Sequence, residues 1–190
     1  ENPIYFGIDS LISVFWNSND DLSGIKLIEH SFGSSLGDTD LVSWQSSLSI
    51  DSVAVLSNLS LSDGVTYYAS VMAMDSAGNS TILSGDGVTI DISSPDVGWV
   101  YDVNSLNQDT SQVFTPSLSA LSSLWSGFSD SISGISHYEY SMSDSPTQQG
   151  VVEWISAGMD TFVTDSSLTL SHGQPYYTFL RAVDGVGNVS

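Results

Sequence analysis

The sequence predicts an all-β chain built as two tandem sandwiches, and three observations carry that expectation. First, the stretch Leu61–Asn79, L-S-D-G-V-T-Y-Y-A-S-V-M-A-M-D-S-A-G-N, returns as Leu170–Asn188, L-S-H-G-Q-P-Y-Y-T-F-L-R-A-V-D-G-V-G-N. Second, Trp16 and Trp125 stand 109 residues apart, Trp44 and Trp154 110, and Asp75 and Asp184 109, so the whole chain repeats with one-residue loop differences. Third, the apolar residues alternate with period two, as in half-buried strands, and no stretch keeps the period of a helix.

Taken in order, the first module opens with an inward row of Ile12, Val14 and Trp16, followed by the polar, acidic loop Asn17–Gly24. A second strand covers Ile25–Phe32, with Ile28, His30 and Phe32 in the places of Tyr138, Tyr140 and Met142 of the second copy. Trp44 follows a Gly/Asp-rich connection, and Val53, Val55, Leu59 and Leu61 lead into the strand of the repeated stretch. There Tyr67, Ala69, Val71 and Ala73 share one face and Tyr68, Ser70, Met72 and Met74 the other. D-x-x-G-N then reverses the chain, since Asp bonds its own backbone and Gly and Asn tolerate positive φ. Val88–Ile92 closes a module of about seven short strands.

Residues 1–92 and 93–190 are the expected domains, joined by a short Pro-stiffened linker, Asp91–Asp102. By the repeat period the counterpart of Val88–Ile92 lies past Ser190, so the second sandwich is expected to lack its last strand within this chain. Either the parent polypeptide continues or another chain donates that strand. With neither an initiator Met nor a signal peptide, the chain reads as a processed or partial piece of something longer.

Composition excludes several partners. Lys26 and Arg181 face 22 acidic residues, a net charge of -20, which argues against nucleic acid and anionic membranes because phosphate binding needs clustered bases. Hydrophobic content of 41%, with eight Tyr, seven Phe and five Trp, supports packed cores rather than disorder. No apolar run approaches the roughly 20 residues of a membrane span, and without Cys no disulfide staples the modules. Abundant Ser and Asp with almost no Lys fits secretion into a salty or calcium-containing medium, and equally the cytoplasm of a halophile.

A strand Trp, a Leu followed six residues later by Tyr through a Gly corner, and the Y-x-A/T-x-V/L-x-A strand together resemble fibronectin type III and related immunoglobulin-like modules. The resemblance covers nearly the whole chain, twice. It implies that the hydroxyls of Tyr67 and Tyr176 pin a corner between strands, and that Trp16 and Trp125 fill the sandwich centres. Ser123, standing where Val14 does, departs from an apolar strand. Ser23-Gly24-Ile25 and Ser133-Gly134-Ile135 after acidic loops, with the D-x-x-G-N turns, look more specifically like modules repeated in large bacterial surface and secreted proteins.

Motifs for catalysis are missing: there is no G-x-S-x-G, H-E-x-x-H or glycine-rich phosphate loop, and His30, His137 and His172 fall in separate elements. Calcium is the better expectation, because Asp, Asn and carbonyl oxygens are the hard donors it takes. In this topology Asp130 and the Asp184–Asn188 turn share a pole with the linker residues Asp91 and Asp96, where a divalent ion would relieve repulsion and fix the junction. By the same geometry Asp20, Asp21, Asp75 and Asn79 cluster at the corresponding pole of the first module. The competing assignment for all of these is turn chemistry alone.

Sequons at Asn58, Asn79 and Asn188 carry little weight in so Ser-rich a chain. Trp99 and Tyr101 in the linker, with Tyr68 and Tyr177, either cover a sheet face and pack between modules or stack on sugar rings. The expectation is therefore a non-enzymatic spacer of an extracellular adhesin, filament or surface layer whose partners are neighbouring repeats. A glycan-binding accessory module of a secreted polysaccharide-degrading enzyme is the alternative.

Overall fold

A computed structural model describes residues 4–7, 11–47, 53–103, 114–147 and 153–190. The chain divides into two compact units, Glu1–Ile92 and Ser93–Ser190. Every regular element described is a strand, and no helix is long and apolar enough to cross a membrane.

Unit 1 holds β1 (Ile4–Phe6), β2 (Ile12–Phe15), β3 (Ile25–Gly33), β4 (Val42–Ser47), β5 (Val53–Leu56), β6 (Thr66–Asp75), β7 (Ser80–Ser84) and β8 (Val88–Ile90). One sheet runs β1-β8-β6-β3-β4, with β7 also on β6, and β2-β5 forms the other. Ile12, Val14, Phe32, Leu56, Tyr67, Val88 and Ile90 are buried between them, and Trp16, Ala69 and Val71 pack against this cluster. The alternation read from the sequence puts these side chains inside, an immunoglobulin-like sandwich.

The sequence reading missed β7. The closing strand is split in two because Gly87 turns the backbone at φ 95°, and a Cβ there would come within 2.7 Å of the Tyr68 ring. Only the second half, β8, carries the apolar alternation that marks a strand, whereas β7 leaves Ile82 and Leu83 exposed.

Unit 2 holds β9 (Trp99–Val103), β10 (Leu121–Ser126), β11 (Ile135–Ser143), β12 (Ile155–Gly158), β13 (Phe162–Asp165) and β14 (Tyr177–Asp184), in sheets β13-β10-β9 and β12-β11-β14. The linker expectation needs correction here: Trp99–Val103 is a strand, pairing antiparallel with β10. Pairing across so long a separation leaves no local mark apart from the alternation in W-V-Y-D-V. Beyond β11, the described partner of β14 is a single bridge, Val183 to Val189.

Trp125 lies at the centre of unit 2, 2% exposed, edge-on to Tyr138, which in turn meets Phe128. Trp16 is only half-buried in unit 1, stacked on His30. Ser123 is fully buried, its Oγ 2.7 Å from Thr178 Oγ1 and donating at 3.2 Å to Asp102 Oδ1. The less apolar β10 is thus compensated by side-chain hydrogen bonds, as burial of a hydroxyl requires. Both corners form: Ser62 N–H donates to Tyr67 Oη at 3.0 Å and Ser171 N–H to Tyr176 Oη at 2.9 Å.

His30 gives unit 1 a pH dependence. It is 7% exposed, and burial lowers its pKa from the usual 6.5 because the charged form is disfavoured away from water. The unfolded chain therefore binds the proton more readily than the folded one. Stability is complete above pH 6.5 and falls as pH drops towards the lowered folded value, by at most about 1.4 kcal/mol per pH unit. His30 is the one histidine of residues 1–92, so the melting temperature of unit 1 should decline between pH 7 and pH 5, and in His30→Asn that decline should vanish.

Candidate metal centre

The acidic loops after β2 and β10 fold alike because one Asp organises each. Asp20 Oδ1 accepts the N–H of Leu22 (3.2 Å), Ser23 (2.6 Å) and Gly24 (2.7 Å). Asp130 Oδ1 accepts those of Ile132 (3.1 Å), Ser133 (2.9 Å) and Gly134 (2.7 Å). Gly24 and Gly134 sit at φ 74° and 75°, the left-handed backbone that lets the amides converge on one oxygen. These amides, Ser23 first and then Gly24, hold the Asp20 carboxyl below its ordinary range.

The D-x-x-G-N turns supply the second carboxylate of each pole. Asp75 Oδ2 and Oδ1 accept the Asn79 side-chain amide and backbone N–H, both at 2.8 Å, and these bonds lower its pKa, the side-chain one most. The Ser23 side chain also reaches Asp75, and Ser76 N–H donates to Gly24 O at 3.0 Å, so the two loops of unit 1 meet. Asp184 is more enclosed, 2% exposed, with Oδ1 accepting the N–H of Val186 (2.9 Å), Gly187 (2.7 Å) and Asn188 (2.9 Å). Its Oδ2 accepts Asn188 Nδ2 at 2.8 Å.

Within unit 2 a carboxylate oxygen of Asp130 and one of Asp184 lie within 4.8 Å of each other. Two oxygens that share a calcium ion at about 2.4 Å each are at most about 4.8 Å apart, so the pair fits one ion. Asn188 Nδ2 also donates to Ser93 O at 2.9 Å. Asp96 is exposed but bonds Ser129 through its backbone, N–H to O at 2.8 Å, next to Asp130 in the chain. Asp91 follows β8 of unit 1, fully buried, its N–H donating to Phe6 O at 2.9 Å.

Of the acidic residues expected in unit 1, Asp21 stands apart from the others. It is exposed and accepts from the Asn19 side chain at 2.7 Å, and its counterpart in the repeat is Ser131. A repeated position was the signal that separated Asp20 from its neighbour.

The aromatic expectations divide. Trp99 is 70% exposed and Tyr101 39%, on the same face of β9. Tyr177 is 37% exposed, while Tyr68 is half-buried.

Two arrangements escaped the sequence reading. Arg181 bonds Glu139 through Nε and Nη2, both at 2.6 Å, and lies 4.4 Å over the Trp154 ring. Asp165, 8% exposed, accepts from Ser167 N–H and Oγ at 2.9 and 2.7 Å and from the Tyr140 hydroxyl at 3.4 Å. Both depend on strand register, and Glu139 opposite Arg181 becomes visible only once β11 and β14 are paired.

No protein-family model matches the sequence, and no curated protein matches it. Among solved structures the chain is similar to the FN1–FN3 domains of chicken CNTN1, at 13% identity and a TM-score of 0.46, covering 96% of this chain and 60% of that one. It is also similar to fibronectin(III)-like modules of Clostridium thermocellum CbhA, at 16% identity and a TM-score of 0.45, covering 99% and 84%. Each unit, by its own strands and tyrosine corner, is an immunoglobulin-like sandwich.

Proposed function

We propose that this chain is a non-enzymatic spacer of an extracellular repeat protein, an adhesin, filament or surface layer, whose partners are neighbouring modules of the same kind. The observation that supports the reading most is the repetition itself: both units carry the same corner, the same Asp-organised loop and the same D-x-x-G-N turn. In an array of such units, length and stiffness are the useful properties.

Calcium supplies the stiffness in this proposal. Asp130 and Asp184 would hold the ion, since their carboxylates are close and enclosed enough for one cation to relieve their repulsion. In the sequence Asp91 and Asp96 flank Ser93, whose carbonyl accepts from Asn188. Asp20, Asp75 and Asn79 form the corresponding pole of unit 1.

Thermal unfolding of the chelated protein, repeated with about 10 mM Ca²⁺, tests this reading. Extracellular calcium modules bind with Kd of about 0.1–1 mM, which at that concentration stabilises by about 1.4–2.7 kcal/mol. The unit 2 transition should rise by roughly 6–20 °C, and Asp130→Asn should abolish the rise. An unmoved transition removes calcium from the proposal. Retention of the protein on insoluble polysaccharide would favour the glycan-binding alternative instead, with the exposed faces of Trp99 and Tyr101 as its platform.

A further inference from the structure

Sequons of the N-x-S/T type stand at Asn58, Asn79 and Asn188. A Ser-rich composition makes such triplets common and treats these alike; the fold does not. An acceptor asparagine gives up one N–H of its side chain. The transferase must also reach the hydroxyl two residues on, so both groups have to be free of other bonds.

Asn79 and Asn188 fail that requirement. Asn79 donates to Asp75 through both its side chain and its backbone N–H, each at 2.8 Å. The hydroxyl residue that follows it, Thr81, lies within β7, opposite Ala73. Asn188 Nδ2 donates to Asp184 Oδ2 at 2.8 Å and to Ser93 O at 2.9 Å, and Ser190 Oγ accepts the N–H of Ala182 at 3.0 Å. A sugar on either amide would cost its turn side-chain bonds.

Asn58 differs in each respect. It lies in the connection between β5 and β6, where Ser57, Asn58 and Ser60 are exposed while Leu59 and Leu61 pack against the core of unit 1. The leucines anchor the connection and leave Asn58 and Ser60 outside. The Asn58 amide makes one long contact, 3.4 Å to Oγ of the adjacent Ser57, and Ser60 Oγ bonds nothing among the described residues. Asn58 is also the one non-glycine residue described with left-handed backbone, φ 57°, a conformation that Asn tolerates. Unit 2 supplies the comparison, since residues 165–170 repeat 56–61 after 109 positions and Ser167 replaces Asn58. Ser167 serves its own fold, its N–H and Oγ donating to Asp165 Oδ1 at 2.9 and 2.7 Å. In unit 1 the place of Asp165 is taken by the buried Leu56, whose side chain accepts nothing, so the side chain of Asn58 has no such part in holding its sandwich.

We propose that the folded chain presents one N-glycosylation acceptor, Asn58, and that the donor is an oligosaccharide carried on a polyprenyl diphosphate. Asn58 Nδ2 loses one proton and bonds C1 of the first sugar. The bond from that carbon to the diphosphate oxygen breaks, and the lipid diphosphate leaves with the electron pair. Nothing is oxidised or reduced. The site goes beyond the spacer reading and needs from it only passage along a secretory route.

The test offers the folded, full chain to a purified single-subunit oligosaccharyltransferase with its lipid-linked donor, and mass spectrometry locates the sugar. End-blocked peptides of the same sequons, which lack the fold, measure what each sequence alone allows. The rate in the chain relative to the peptide should be close to equal at Asn58. At Asn79 and Asn188 it should be lower by about tenfold or more, because a tied amide reacts only through local opening. Asn58→Gly keeps the left-handed bend and should remove the modification of the folded chain. Ser60→Ala leaves Asn58 in place and should remove it too, and it decides alone if Asn58→Gly does not fold. An unmodified Asn58 in the folded chain, equal ratios at the three sites, or modification that survives Ser60→Ala would each overturn the proposal. Chelated and calcium-loaded chains should behave alike at Asn58, so this result stands apart from that of the calcium titration.

Discussion

Replacing Trp125 by alanine should lower the melting transition of unit 2 by about 12 °C or more, leaving that of unit 1 in place. A buried Trp→Ala change costs about 3–5 kcal/mol, the lost transfer energy plus the cavity left behind, and each kcal/mol is worth about 4–8 °C in a domain of this size. Unit 2 has little with which to refill the space. Its buried apolar cluster is Trp125, Tyr138 and Ala182, with Phe128, Ile135, Ala157, Val163 and Leu180 half-buried around it. Trp125 meets Tyr138 edge-on at 5.8 Å and Tyr138 meets Phe128 in the same way, so removing the tryptophan takes the first ring from a chain of three. Trp125→Phe separates packing from polarity. Trp125 Nε1 is buried with no hydrogen-bond partner among the described residues, and an unmet donor costs about 1–3 kcal/mol. Phenylalanine keeps much of the ring contact and removes that donor, so it should lose far less than alanine. Differential scanning calorimetry, with the two transitions assigned from the separate variants, measures both effects. Equal losses for Ala and Phe would place the energetics outside the aromatic chain.

What the sequence disclosed and what it withheld divide by range. The tyrosine corners, the D-x-x-G-N turns and the inward rows of β2, β3 and β6 were legible because each is set by residues within a few positions, where backbone preference and alternation act directly. The fully buried Trp125 was legible from its place in an apolar row, yet Trp16 in the same row is half-buried and lines an open cleft. Strand β9 read as linker because the partner that makes it a strand, β10, lies beyond a long connection. Glu139, Arg181 and Trp154 form one cluster from three separate segments, and no spacing rule joins them. At the acidic poles the sequence located the loops but not the division of labour. Asp20 and Asp130 each gather three backbone amides, whereas Asp21 faces solvent.

Asp184→Ala should destabilise unit 2 by about 2–4 kcal/mol in calcium-free buffer, several-fold more than the matching Asp75→Ala costs unit 1. Both residues begin a D-x-x-G-N turn, so the difference isolates burial and bonding from sequence. Asp184 is 2% exposed and accepts three backbone N–H groups on Oδ1 and the Asn188 side chain on Oδ2. Alanine leaves those donors without an acceptor in a place that water reaches poorly. It also releases Asn188, whose Nδ2 ties the turn to Ser93 O. Asp75 accepts the Asn79 backbone amide and side chain and, as lesser partners, the Ser23 side chain and the Ala77 amide, but the residues of its turn that follow are exposed, so water replaces much of what alanine removes. Chelated samples make the comparison one of turn energetics alone. With calcium restored, the gap between unaltered protein and Asp184→Ala should widen if Asp184 is also a ligand, because the variant then forgoes binding energy as well as hydrogen bonds. A gap that is large without calcium and unchanged with it would assign Asp184 wholly to the turn, whereas a small gap in both would contradict the bonding that the buried carboxylate makes.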